Sequence, residues 1–208
     1  MMKKLISIVL LSLPLAVMAA GGNVQLDKAP IDLGNERSLQ RGARNFVNSC
    51  MGCHGMKFLR YSRMAKDLQL TEDQVRENLM IDPKGSFGAT MTINMPEDQS
   101  KTWFGNPPPD LSLTTRSRGS DWVYTYLRSF YKDDGGTFGV NNVVLKGASM
   151  PHVLQGLQGL PELVDDGQHH GDEHGEAESG HGDDHAADGT YKVGGATFKL
   201  ASAGSMDI

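Results

Sequence analysis

Apolar residues recur along this chain at the spacing of short amphipathic helices, and proline and glycine interrupt most of what lies between. The first twenty residues stand apart. Lys3 and Lys4 precede an apolar run from Leu5 to Val17 that Pro14 breaks, and small residues follow. Val17 and Ala19 fit the −3 and −1 positions of a signal-peptidase site. The run is short for a bilayer core of about 30 Å, so residues 1–20 read as a cleaved signal peptide and 21–208 as the exported chain. No second apolar run of about 18 residues follows, so the sequence as it stands has no membrane-spanning helix. It stops at 203–208 without a helix-ending or strand-ending signal, as a fragment would.

Three helices are predicted after a polar lead-in. Asn35 can cap the first, which sets Leu39, Ala43, Phe46, Val47 and Cys50 on one face. Thr71 and Gln74 read as a capping box for the second, with Val75, Leu79 and Met80 facing inward. Gly119, Ser120 and Asp121 open the third, whose Val123, Tyr126, Leu127 and Phe130 form an apolar stripe. No alternating strand pattern persists. The expected fold is therefore mainly α, with few helices and long ordered loops, and such a chain buries little unless something large fills its middle.

Composition narrows the function classes. Two cysteines among 208 residues exclude a multi-disulfide scaffold, and a net charge of −5 argues against a nucleic-acid binder. The charge is uneven. Residues 162–188 hold ten acidic side chains and no Lys or Arg, which leaves the rest of the chain net basic. Five of the seven histidines fall in the same stretch. Residues 162–189 therefore read as an acidic, His-rich flexible insertion. Weak metal capture is a second reading, since His170 and His174 are four apart, but Gly171 and Gly175 oppose a stable helix there. A landing patch for a basic redox partner is a third.

Both cysteines sit in Cys50-Met51-Gly52-Cys53-His54. A redox dithiol of this spacing would follow a strand in a βαβ unit, whereas here the motif ends a predicted helix. Zinc would need four ligands, and there is no second cysteine pair. A histidine directly after the second cysteine is the pattern of covalent c-type haem attachment. Two thiols on one helical turn reach the two vinyl groups of the porphyrin as thioethers, and His54 presents its imidazole to the iron.

The sixth ligand is a choice among eleven methionines, most of them core filler or surface. Met95 and Met150 each precede a proline, which holds a loop extended so that it can present sulfur to iron. The residues favour Met150, which follows all three helices; Met95 and His152 remain as alternatives. The stretch from Trp103 to Ser112, with Pro107, Pro108 and Pro109, reads as a stiff crevice wall whose carbonyls can accept the proximal imidazole N–H. Arg116 and Arg118 are candidates to pair with the haem propionates.

Taken in order, these motifs resemble the cytochrome c1 family, the haem subunit of ubiquinol–cytochrome c reductase (the cytochrome bc1 complex). The likeness covers roughly residues 33–160. It runs from Arg41 to Val47 into the haem motif, then through Lys57 to Tyr61, Pro107 to Ser112, Arg116 to Arg118 and Trp122 to Leu127, and ends at Met150-Pro151. The resemblance implies a cytochrome c-like fold, one haem c on Cys50 and Cys53, and His54 and Met150 as axial ligands. It further implies a redox subunit that takes electrons from a Rieske iron–sulfur protein and passes them to a cytochrome c. Cytochrome b would be a neighbour, on the periplasmic side of the bacterial inner membrane. Such a subunit does no substrate chemistry beyond one-electron transfer. The family's C-terminal transmembrane anchor is missing from this sequence. A free periplasmic monohaem cytochrome is the alternative within the same chemistry, and a periplasmic metal-binding protein built on the His/Asp-rich stretch is the alternative from another class.

Overall fold

The computed structural model describes residues 24–167 and 189–202. The signal-peptide reading of 1–20 lies outside them, as does most of the acidic stretch, 168–188. Among the described residues no helix is long and apolar enough to cross a membrane.

The expectation of a mainly α fold is overturned. Only 35% of the structure is helical and 18% is strand, arranged as three small antiparallel sheets. Helix α1 (Glu36–Asn45) starts where Asn35 accepts from the Ser38 N–H, and it runs into one turn of π-helix at Phe46–Cys50. Strand β1 (Met56–Arg60) follows the cysteines and pairs with β2 (Thr90–Met91). Between them lie α2 (Tyr61–Asp67) and α3 (Glu72–Asn78). The α3 capping box is complete: the Gln74 N–H donates to Thr71 Oγ1 at 3.2 Å, and the Thr71 N–H donates to Gln74 Oε1 at 2.9 Å. Such a cap is worth about 1 kcal/mol against alanine.

Helix α4 (Glu97–Phe104) takes up Trp103 and Phe104, so the rigid wall expected from Trp103 onward starts only after this helix. The short α5 (Thr114–Arg118) leads into α6 (Ser120–Arg128), opened by Gly119. Strands β3 (Phe130–Lys132) and β4 (Val140–Asn142) form a hairpin, and α7 (Gln155–Gln158) precedes the last sheet. That sheet has the order β5 (Leu160–Asp165), β7 (Ala196–Ser202), β6 (Thr190–Val193).

The strands escape a periodicity reading for physical reasons. β3 and β4 are three residues each, too short to alternate convincingly. β5 carries Pro161, which usually marks an edge. It also uses Glu162 to Asp165, the first residues of the stretch read as an insertion. β6 and β7 had a signal of their own in Gly194-Gly195, a two-residue loop with φ of 58° and 78°. Positive φ at both positions makes the hairpin turn that glycine pairs favour. A Cβ at Gly194 would come within 2.8 Å of Thr125 Cγ2.

The core is divided. One cluster packs Met51, Tyr61, Met64, Val75, Leu79, Met80 and Met91 around α2 and α3. Another joins Val143, Val193, Ala196 and Phe198 under the last sheet. The third gathers Tyr126, Phe130 and Val140, with Trp122, Leu127, Met150 and Leu160 against them. Asp27 ties the segment before α1 to α6 and to the β6–β7 turn. Its carboxylate accepts from the Gly194 N–H at 2.9 Å and pairs with Arg128 at 3.3 Å, while its own N–H donates to Thr125 Oγ1 at 2.9 Å.

Candidate metal centre

The π-turn feeds directly into the cysteine motif. The Met51 N–H reaches back five residues to the Phe46 carbonyl, and the Cys53 and His54 N–H groups then both donate to the Cys50 carbonyl at 3.0 and 2.9 Å. The motif is thus wound into one tight turn carrying both thiols and the imidazole, and π-turns of this kind concentrate at functional sites. Cys50 and Cys53 are free thiols and half-buried. Burial pushes the Cys50 thiol above its ordinary range, and the neighbouring Cys53 adds in the same direction.

His54 Nδ1 lies 2.7 Å from the Pro109 carbonyl oxygen. A carbonyl only accepts, so Nδ1 carries the proton and Nε2 keeps a free lone pair. The contact belongs to a longer seam between residues 54–58 and 109–112. The Leu111 N–H donates to the Gly55 carbonyl at 2.8 Å, the Lys57 N–H to Asp110 Oδ2 at 2.8 Å, and the Phe58 N–H to Ser112 Oγ at 3.1 Å. Gly55 fits here because a Cβ would meet Asp110 Oδ2 at 3.1 Å. Burial raises the Asp110 pKa, but hydrogen bonds from Ser112 and Lys57 and the lysine's charge outweigh it and hold the carboxyl below its usual range. Asp110, Ser112 and Gly55 were not singled out from the sequence. The signal available was the Asp-x-Ser spacing, in which the Ser112 N–H donates to Asp110 Oδ1 two residues back.

Pro107 and Pro108 line a cavity of about 220 Å³ together with Cys53, Ile93 and Met95. A larger one, about 500 Å³, touches Met51 and Gly52 of the motif and extends past Met80, Ile81 and Met95 to Trp103. The larger volume falls in the range of cofactor sites. Two unpaired thiols, an imidazole with Nε2 free and an adjoining apolar cavity make a donor set that suits a covalently held haem.

The candidate sixth ligands fall in different places. Met95 lines both cavities beside the motif. Met150 packs into the third core cluster, where the Tyr126 hydroxyl donates to its Sδ at 3.4 Å. Burial pushes the Tyr126 phenol up to about 12, so it keeps its proton at neutral pH. His152 is buried and stacks on Phe130 with ring centroids 5.2 Å apart. Its Nε2 donates to the Gly159 carbonyl at 3.1 Å. Burial holds this imidazole below its usual pKa, against the opposing pull of that carbonyl. Arg116 and Arg118 are exposed in α5, and the Arg118 guanidinium lies 5.1 Å over the Trp122 ring. Among the described residues, no three His, Cys, Asp or Glu side chains gather into a further metal-binding group.

Comparison with known proteins agrees with this donor set. Residues 28–178 match the model of the Cytochrome C1 family. The chain is 48% identical to cytochrome c1 of Allochromatium vinosum, over 81% of this chain and 69% of that protein. It is 44% identical to a protein of Nitrosomonas europaea named ammonia monooxygenase gamma subunit, over 78% of this chain and 68% of that one. With cytochrome c1 of Rhodospirillum rubrum the identity is 26%, over 58% and 55% respectively.

Proposed function

The chain belongs to the cytochrome c1 family, and on that premise we propose that it is the redox subunit of a quinol–cytochrome c oxidoreductase. As a family member it is an electron-transfer cytochrome subunit that carries haem c covalently, with Cys50 and Cys53 present to hold it. In the proposed role it accepts one electron at a time from a Rieske iron–sulfur protein beside cytochrome b, on the periplasmic side of the inner membrane, and passes it to a cytochrome c.

The observation that carries this reading is the 2.7 Å hydrogen bond from His54 to Pro109. It fixes the tautomer and leaves Nε2 as the donor nitrogen, as outer partners of metal-bound histidines do. The haem supplies a one-electron ferric/ferrous couple. Cys50 and Cys53 would hold the haem as thioethers, His54 Nε2 and Met150 Sδ would supply donors to its iron, Pro108 and Pro109 would wall the crevice, and Arg116 and Arg118 would pair with its carboxylates. A thioether donor would raise the potential of the bound group, which would suit a carrier late in a respiratory chain.

The Nitrosomonas relative supports a second reading, a redox subunit of a monooxygenase complex. Purification of the tagged chain from solubilised membranes separates the two. Co-purifying b-type haem, a [2Fe–2S] signal and quinol–cytochrome c reductase activity are expected, and their absence beside monooxygenase subunits would favour the second reading. The haem itself is tested on denatured protein. The chromophore should stay with the chain, and Cys50→Ala with Cys53→Ala should abolish it; haem that extracts into acidified organic solvent would refute the attachment.

A further inference from the structure

We propose that Tyr126 is a positioning residue that sets how strongly the axial sulfur donates to the iron, and so raises the potential of the centre. The proposal rests on the reading of Met150 as the iron ligand.

A buried tyrosine hydroxyl is costly unless it finds a partner, and a phenylalanine would fill the same space without that cost. The partner in this fold is unusual. Tyr126 donates to the thioether of Met150 at 3.4 Å, a weak acceptor that few donors choose. Both ends of the contact are held. The Tyr126 ring stacks on Trp122, with centroids 5.0 Å apart and planes 7° apart, and meets the edge of Phe130 at 5.1 Å. Asn142 Nδ2 donates to the Tyr126 carbonyl at 2.8 Å, which anchors the end of α6. On the other side the loop around Met150 is short and pinned, by the Ala148 N–H on the Leu145 carbonyl at 3.2 Å and by His152 on Gly159.

A thioether sulfur has two lone pairs. One can face iron while the other accepts the phenol proton. An O–H aimed at the second pair withdraws electron density, so the sulfur donates less. The ferric iron needs that donation more than the ferrous, so the hydrogen bond favours the reduced form. Removing it alone should strengthen sulfur donation and lower the potential.

The test uses holoprotein with its covalent haem and two readouts, the midpoint potential and the methionine-to-iron absorption band at the red end of the ferric spectrum. Tyr126→Phe keeps the ring and its stacking. It should retain the band while moving the ferric/ferrous equilibrium about threefold toward ferric, roughly 28 mV at 59 mV per tenfold change for one electron. Trp122→Phe, which disturbs the stack without touching the donor, should move the potential by less than half of that. An unchanged or raised potential in Tyr126→Phe, or an equal fall in Trp122→Phe, overturns the proposal. Loss of the band in Tyr126→Phe also overturns it, because the residue would then be only a prop for the loop. Met150→Leu in the same series separates the two readings. A band that survives Met150→Leu refutes the ligand assignment, whereas a band lost there with no potential shift in Tyr126→Phe refutes only the role of the tyrosine.

Discussion

The seam around His54 and the cluster around Met150 are held by opposite kinds of force. Around His54, residues 54–58 and 109–112 are joined mainly by hydrogen bonds between side chains and backbone, with Lys57, Phe58 and Pro109 exposed. Around Met150 the order is aromatic: Trp122 stacks on Tyr126, Tyr126 meets Phe130 edge-on and Phe130 stacks on His152, with Phe130 only 1% exposed. Hydrogen bonds are directional, so the first arrangement fixes an angle, that of the imidazole. Packing is dense but undirected, so the second fixes a distance, and a single weak hydrogen bond from Tyr126 directs the sulfur. A site assembled this way should lose its methionine more readily than its histidine when the fold is stressed.

That contrast can be broken at either end. The largest expected effect is at the sulfur: Met150→Leu should abolish the methionine-to-iron band and lower the potential sharply, while Met95→Leu leaves both near wild type, as spectroscopy and a redox titration would read. The opposite pattern would place the ligand at the cavity beside Cys53. Next comes Phe130→Ala, which should cost about 3–5 kcal/mol in chemical denaturation, since it empties the centre of the aromatic cluster. In that variant the methionine band should fade at lower denaturant than the haem–histidine signal does. On the hydrogen-bonded side, Ser112→Ala should cost only about 1 kcal/mol, because the Phe58 N–H it leaves behind can turn to water.

The smallest effect is a pH dependence. The Asp110 carboxyl titrates lower in the fold than its ordinary value of 3.8, so the folded state binds fewer protons than the unfolded one. Its contribution is therefore complete above pH about 3.8 and is lost as pH falls through the lower folded value. Urea midpoints measured down that acid limb should fall more steeply in the wild type than in Asp110→Asn. Parallel curves would mean that the seam does not depend on that charge.

The same contrast explains how much could be read from residues alone. Local chemistry was legible. Asn35 caps α1, Thr71 and Gln74 box α3, and Val75, Leu79 and Met80 are buried as their spacing predicts. The cysteine motif was legible because its spacing carries its own geometry. The sheets were not, because β3 and β4 are too short for a period and β5 finds its partner beyond a long polar stretch. Asp110 hid inside a proline run that drew attention to stiffness and away from its carboxylate. The hydroxyl of Tyr126 was invisible for a different reason. On a helical stripe it counts as one more aromatic, and only the fold sets it against sulfur.

Asp27 bears on the order in which this fold can form. Its hydrogen bond to Gly194 spans 167 residues of chain, and closing so long a loop costs about 4.5 kcal/mol of chain entropy beyond a constant. Contacts of that separation slow folding, because the entropy is lost before the contact returns anything. Gly194 also lies far downstream of Asp27 in the order of synthesis, so the clasp can close only after the whole intervening segment has been made. The cysteine motif, made much earlier, therefore remains in a loosely held chain until the Gly194-Gly195 turn arrives, and the closing of the clasp marks the point after which that early segment is no longer free to open.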